Sequence, residues 1–397
     1  MAKIYLDYAA TTPVDPRVKK EMLVYFDRKY GNPGSLHFFG QEAMAAVDLS
    51  REKIAKAIGA DFREIIFTGS ATEANNLALR GAVKSARSLI HGQLPKIILS
   101  SIEHESVLET AEYLEKEGAV EAIYLSVTRD GLADLKKLEE ALDARTVLVS
   151  IIHANNETGS IQPIGEISAL LAEWRERQGD SVYPLFHTDA VQAFQYLDCS
   201  VKNLGVDLMT ISAHKIYGPK GIGALYVRQA SGIRHQVSGV RLVEAIITGG
   251  GQEFGLRSAT ENVPCIVGFA KAAEIAMGFR EKEAERVSGL RDYFWLGLKR
   301  IYPRAELNGR IEVYLPNIIN VYFPGISAQD FLTKLDLAGV AASSGSACSS
   351  RSFKPSHVLS ALGHSEERAR GSIRFSLGRH TTKAAIDEVL KRVKIIL

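Results

Sequence analysis

Short apolar runs punctuate the first two-thirds of the chain: Ile65-Ile66-Phe67, Lys96-Ile97-Ile98-Leu99, Ala122-Ile123-Tyr124-Leu125, Val147 to Ile152, Leu185-Phe186-His187, Leu208 to Ile211 and Ala224 to Val227. They are continuous rather than alternating, which is the pattern of strands buried on both faces. Between them lie stretches such as Glu105 to Glu117 and Gly165 to Arg177, long enough for crossover helices. The alternation predicts an α/β layer fold around a seven-stranded, mostly parallel sheet with flanking helices.

After Gly249-Gly250-Gly251 the pattern changes. Val263 to Arg286 and Val287 to Ile301 predict two long helices, and Ile318 to Phe323 predicts a strand. Ser372 to Leu377 alternates as a strand, and Ile386, Val389, Leu390, Val393 and Leu397 share one helical face suited to core packing. The expected organisation is a large α/β domain over residues 14–262 and a smaller α+β domain formed by 1–13 and 263–397.

Composition narrows the class without choosing a function. The 397 residues are 46% hydrophobic and 24% charged, enough for a large globular core. With 48 basic and 46 acidic side chains the formal charge is +2, so no global field points to nucleic acid or to a membrane surface. No run approaches the ~18 apolar residues of a membrane span, and Met1 to Asp7 lacks a signal-peptide core. The three cysteines, Cys199, Cys265 and Cys348, form no Cys-x-x-Cys pair and fit a reduced compartment, so a cytoplasmic location is expected.

Three stretches carry candidate chemistry. The strand Leu208 to Ile211 runs into Ser212-Ala213-His214-Lys215 and then a glycine-rich turn. A lysine at a strand end beside hydroxyl and imidazole groups suits a Schiff base with a phosphorylated cofactor, though a solvated loop charge has the same appearance. Phe67-Thr68-Gly69-Ser70-Ala71-Thr72-Glu73-Ala74-Asn75 reads as strand, small-residue turn and helix start. Such a turn aims backbone N–H groups and the helix dipole at an anion, and it equally fits an ordinary helix cap. Asp189, in Phe186-His187-Thr188-Asp189, ends a buried strand, where a carboxylate needs a partner; a protonated pyridine nitrogen or the start of the next helix would serve.

Phosphate cup, acidic residue and Ser-x-His-Lys, in this order on successive strand ends, resemble the fold-type I pyridoxal-phosphate enzymes. In detail the chain resembles the cysteine desulfurases of the class V aminotransferase group. The likeness extends through Tyr5 to Pro13, Gly31 to His37, Asn155-Asn156-Glu157-Thr158-Gly159, Gly249 to Thr260, Ser343 to Ser350 and Ser372 to Thr382. The run Ser343-Ser344-Gly345-Ser346-Ala347-Cys348-Ser349-Ser350 is similar to that of the iron–sulfur-cluster and nitrogen-fixation branch. The cup reads Gly69-Ser70 where the family more often has Ser-Gly, Ala259 stands where glycine is usual, and the stretch 228–249 is longer than expected.

What the resemblance implies is specific. Lys215 would bind pyridoxal 5'-phosphate covalently and act as base, Asp189 would pair with the pyridine nitrogen, Gln192 would bond the ring hydroxyl, and His104 would stack on the ring and carry protons. Ala71, Thr72, Ser212 and His214 would surround the phosphate and Ala213 would also bind the cofactor, with Thr260 reaching the phosphate of a neighbouring subunit in a homodimer. Asn155, beside the cofactor, and Arg374 would hold the substrate carboxylate. Cys348 would take sulfur from L-cysteine as a persulfide, leaving L-alanine, and pass it to an acceptor protein such as an iron–sulfur scaffold or a tRNA-thiolation relay. Cys199 and Cys265, beside apolar helical stretches, would be structural. No metal site is implied beyond contact of Cys348 with a nascent iron–sulfur cluster. The same cofactor residues would also serve a selenocysteine lyase, a cysteine-sulfinate desulfinase or an aminotransferase, and a cofactor-bound relay subunit is the non-enzymatic alternative.

Overall fold

The structure is a computed structural model that describes residues 3–86, 93–179, 181–229, 241–310, 313–345 and 355–397. Cys348 and the middle of the long 228–249 stretch lie outside the described residues. After a short strand, β1 (Ile4–Tyr5), and two helices, α1 (Pro16–Asp27) and α2 (Phe38–Ile58), strands and helices alternate. The order is β2 (Ile65–Thr68), α3 (Ala71–Ala86), β3 (Lys96–Ser100), α4 (Glu105–Lys116), β4 (Glu121–Leu125), α5 (Leu135–Ala141), β5 (Thr146–Ser150), α6 (Ile164–Arg177), β6 (Leu185–Asp189), α7 (Val201–Leu204), β7 (Leu208–Ser212) and β8 (Gly223–Val227). Each of the seven apolar runs is a strand of one sheet, ordered β2-β8-β7-β6-β5-β3-β4.

Only β8 runs against its neighbours, pairing antiparallel with β2 and β7. The remaining pairings are parallel. β2, β3, β5, β6, β7 and β8 are buried at every residue, as continuous apolar strands between two helical layers must be. The parallel strands end on one edge of the sheet, so the residues that follow them are gathered there, where α/β sheets bind ligands.

The chain continues through α8 (Val263–Ile301), β9 (Glu306–Leu307), β10 (Ile318–Tyr322), α9 (Ala328–Leu337), β11 (Val340–Ala341), α10 (His357–Ala361), α11 (Glu366–Arg370), β12 (Ser372–Ser376) and α12 (Lys383–Ile396). A three-stranded antiparallel sheet, β12-β10-β9, shares a core with α8, α9 and α12. β1 pairs in parallel with β11, joining the first residues of the chain to this later sheet layer. The two helices expected over 263–301 are one helix of 39 residues. Its first half buries Ile266, Phe269 and Ala273 against the large core, and its second half buries Phe294 and Leu298 in the smaller one, so one element spans both and no break is needed. On α12, Ile386, Val389 and Val393 are buried as expected, whereas Leu397 lies beyond the helix and is exposed.

A buried ion pair ties the glycine-rich segment after β8 to the sheet. Arg51 on α2 makes a two-pronged contact with Glu253, Nη1–Oε2 and Nη2–Oε1 both 2.7 Å, and the same carboxylate accepts the Phe67 N–H at 2.8 Å. The guanidinium also lies over the rings of Phe62, Phe67 and Phe254. Glu253 and Phe254 both adopt positive φ, 50° and 58°, a conformation that non-glycine residues hold only when their surroundings impose it. Removing one partner of such a pair leaves the other charge buried. Glu253→Leu is therefore expected to cost about 3–5 kcal/mol, and the double change Arg51→Met/Glu253→Leu less than that, as read from denaturant unfolding.

Candidate active site

The strand-end edge encloses a cavity of about 190 Å³ lined by the cup residues Ser70, Ala71 and Thr72, by His104, Asp189, Gln192, His214 and Lys215, and by Arg374 from the later sheet. The cup follows from β2 and α3. Ala71 and Thr72 are the first residues of a 16-residue helix, whose opening N–H groups lack intrahelical acceptors. Gly223 on β8 lets the turn approach: a Cβ there would stand 2.8 Å from the Ser70 carbonyl carbon and 2.9 Å from the Ala71 nitrogen.

Lys215 follows β7 in a short 3₁₀ turn, and its Nζ donates to the carbonyls of Ala9 at 2.5 Å and Ala10 at 2.8 Å. Gln192 Nε2 donates to the same Ala9 carbonyl at 2.9 Å, so the N-terminal segment forms one wall of the site. His214 Nδ1 lies 3.1 Å from the Thr11 hydroxyl. Burial, with help from Lys215 and Lys220, pushes the His214 imidazole down to about 4.

Asp189 is buried and accepts two N–H groups, from Val191 at 3.0 Å and from Asn75 Nδ2 at 2.8 Å. Among the described residues it forms no ion pair with a lysine or arginine. Asn75 also donates to Ser106 Oγ at 2.8 Å, and Ser106 Oγ lies 2.9 Å from His104 Nδ1. His104 caps α4 by accepting the Ser106 N–H at Nδ1, 3.1 Å away, so the hydrogen-bond pattern places the ring proton of the neutral imidazole on Nε2. Burial lowers the His104 pKa, opposed by the nearby Asp189 charge. Asp189, Asn75, Ser106 and His104 thus form a continuous polar chain along the cavity wall.

Arg374 lies on β12 with its side chain 1% exposed. Nη2 pairs with Asp7 Oδ1 at 2.8 Å and Nη1 donates to the Asn156 carbonyl at 2.8 Å, while Nε is buried without a partner. A guanidinium fork with a spare donor is suited to a carboxylate.

The other expected residues lie apart from the cavity. Asn155 is fully buried behind it: its Nδ2 donates to the Ile102 carbonyl at 2.9 Å and its Oδ1 accepts the N–H groups of Glu157 and Thr158 at 2.8 and 3.0 Å. Its amide is committed to the backbone, and the neighbouring Asn156 lines the cavity instead. Ser212 and Ala213 are buried at the end of β7. Thr260 is exposed and borders a separate cavity of about 250 Å³ with Thr68, Gly69 and Arg257. Cys348 lies outside the described residues.

Sequence reasoning missed Asn75, Ser106, Asn156 and Asp7. Only Asn75 left a signal, as an asparagine among the mostly apolar buried residues of α3, where its polar atoms need partners.

Buried imidazoles carry a pH prediction. Burial lowers His153 to about 4 and His187 to about 3, and His214 joins them at about 4. Between these values and the ordinary 6.5 the unfolded chain binds more protons than the folded one. Their contribution to stability is complete above about 6.5 and is lost as pH falls toward 4. The unfolding temperature should drop across that window, and His187→Gln should flatten the drop.

Among the described residues no helix is long and apolar enough to cross a membrane. Residues 4–389 match the family model described as Aminotransferase class-V. The chain is 46% identical over 394 residues to cysteine desulfurase IscS of Dictyoglomus turgidum, covering 98% of this chain and 94% of that protein. Cysteine desulfurase IscS of Klebsiella pneumoniae is also 46% identical, over 98% of this chain and 92% of its own. A solved structure described as a NifS-like protein superposes with a TM-score of 0.88 at 37% identity, covering 99% of both chains. The chain therefore belongs to the class-V aminotransferase family, and within it to the cysteine desulfurases.

Proposed function

We propose that this enzyme releases sulfur from L-cysteine, forming L-alanine, with Lys215 as covalent cofactor anchor and base and Cys348 as the sulfur acceptor. The observation that carries this reading is the convergence on one cavity of a lysine amine, a buried carboxylate with no ion-pair partner among the described residues, a helix N-terminus and an arginine with an unpaired Nε. That donor set fits pyridoxal 5'-phosphate. Bound there, the cofactor supplies an aldehyde for the substrate amine and a ring that takes up the electron pair left at Cα.

Asp189 would hold the pyridine nitrogen, Gln192 the ring hydroxyl, and His104 the ring face. Ala71, Thr72, Ser212 and His214 would surround the phosphate, and Ala213 would also bind the cofactor. A neutral His214 offers a hydrogen bond without competing for charge. Thr260, exposed beside the cup turn, would serve the phosphate of a second subunit in a homodimer.

Arg374 would receive the substrate carboxylate at its free Nε edge, with Asp7 and the Asn156 carbonyl keeping the guanidinium plane fixed. Asn155 would act through the turn it fastens. Lys215 Nζ would take the Cα proton, and His104 Nε2–H would serve as a proton donor, its tautomer held by Ser106 and Asn75. The Cys348 thiolate would attack the substrate sulfur, forming the S–S bond of a persulfide as the substrate Cβ–S bond breaks and its electron pair stays with the carbon skeleton, which is protonated and leaves as L-alanine. Burial pushes the Cys199 thiol up to about 12 and raises that of Cys265, and neither lines the cavity, so neither competes for this role.

The acceptor of the persulfide sulfur would be a protein such as an iron–sulfur scaffold or a tRNA-thiolation relay, in a reducing cytoplasmic compartment. The test is production of sulfide and alanine in equal amounts from L-cysteine and a thiol reductant by the cofactor-loaded protein. Keto-acid-dependent amino transfer without sulfide would overturn it.

A further inference from the structure

Residues 346–354, which carry Cys348, are flanked by two described segments, 343–345 and 355–357. Both flanks meet at one carboxylate. Glu157 is 1% exposed, and its Oε2 accepts the Ser356 hydroxyl at 2.5 Å. The same Ser356 oxygen accepts the Leu359 N–H at 3.1 Å and so caps α10. On the other flank Gly345 lies so close that a Cβ would stand 2.8 Å from Glu157 Oε2, at a φ of 144°. Its carbonyl accepts the Ser343 hydroxyl at 3.0 Å.

Glu157 is itself fastened toward the substrate side. Its N–H donates to Asn155 Oδ1 at 2.8 Å, and its carbonyl accepts Asn320 Nδ2 at 3.1 Å. The preceding carbonyl, of Asn156, takes Arg374 Nη1. Ser343 and Arg374 exchange both backbone hydrogen bonds, at 3.1 and 2.6 Å. The turn that holds the arginine fork therefore also bears the carboxylate that gathers the two flanks of the cysteine segment.

We propose that Glu157 is a positioning residue for sulfur transfer: by binding Ser356 and packing on Gly345 it holds together two points of the chain that bracket Cys348 in sequence. This rests on the assignment of Cys348 above. Fixing two points of a chain restricts where the residues between them can reach, and a reaction between two groups falls off steeply when one is misplaced. A buried carboxylate with a charge-assisted hydrogen bond is a strong fastener, and the structure gives Glu157 no contact with the cavity itself.

The test uses the cofactor-loaded enzyme and two readouts. One is the rate of persulfide appearance at Cys348 in a single turnover, followed by mass spectrometry. The other is the L-cysteine concentration that half-saturates the visible spectral change of the bound cofactor. Ser356→Asp keeps a helix cap for α10 but sets a carboxylate against Glu157, whereas Ser356→Thr keeps both contacts. Ser356→Asp and Glu157→Leu should each slow persulfide formation about tenfold or more with half-saturation within about twofold of wild type, and Ser356→Thr should match wild type. Full-rate persulfide formation in Ser356→Asp overturns the proposal. So does a fall in both readouts together, the mark of a merely structural role. Absence of persulfide on Cys348 in the wild type would instead sink the Cys348 assignment, an outcome distinct from either of these.

Discussion

Lys215→Ala is expected to abolish turnover, lowering sulfide production by about 10²–10⁴-fold or more, the range associated with loss of a positioned acid–base group, while the protein still folds. Lys215 stands in a short turn at the end of β7, and its amine donates to the carbonyls of Ala9 and Ala10. Removing it deletes no core packing. Asp189, the α3 N-terminus and His214 remain, so the variant should retain pyridoxal phosphate without a covalent bond. Borohydride treatment, which links the cofactor irreversibly to the wild-type chain, should then leave the variant chain unmodified. Continued covalent trapping at another lysine would refute the assignment.

Cys348→Ala should separate binding from sulfur transfer. The variant is expected to give the same cofactor spectrum and the same spectral response to L-cysteine as wild type, because Lys215, Asp189, Gln192, His104 and Arg374, which are assigned to those steps, line the cavity and are distant from 348 in sequence. Sulfide and alanine production should fall about a hundredfold or more, as for loss of a nucleophile. Unimpaired sulfide release would mean that another group takes the sulfur. Equal loss of the spectral response would mean that the cysteine segment contributes to substrate binding.

The two experiments test unequal foundations. The Lys215 assignment rests on a described constellation of partners, whereas that of Cys348 rests on a run of small residues and on family membership. Burial disqualifies Cys199 as the sulfur acceptor, since its thiol is pushed to about 12.

Much of the fold was legible along the chain. Each of the seven apolar runs became a strand of the large sheet, since a strand between two helical layers is mostly apolar along its length and that pattern is local; the edge strand β4 alone among the seven is partly exposed. The cup was legible for a similar reason: strand, small turn and helix start occupy nine consecutive residues, Phe67 to Asn75. By contrast, the boundary expected within 263–301 does not exist, because two successive amphipathic faces on one helix can meet two different cores without a break.

The site was legible in its members and not in its wiring. Residue type and position marked Lys215, Asp189, His104 and His214. The Asp189–Asn75–Ser106–His104 chain joins β6 to the two helices α3 and α4, and the Arg374–Asp7 pair joins residues 367 apart in sequence. The exchange of Asn155 for Asn156 at the cavity wall turns on which amide the local turn consumes.

By itself, then, the sequence determined which segments are strands, which turn can cradle an anion and which lysine, carboxylates and imidazoles are available, because periodicity and turn chemistry act within a few residues. Tertiary structure alone decided which buried polar groups find partners. That choice depends on strand order and on the approach of distant segments, since a buried donor or acceptor must be satisfied by whatever the folded chain brings within hydrogen-bonding distance.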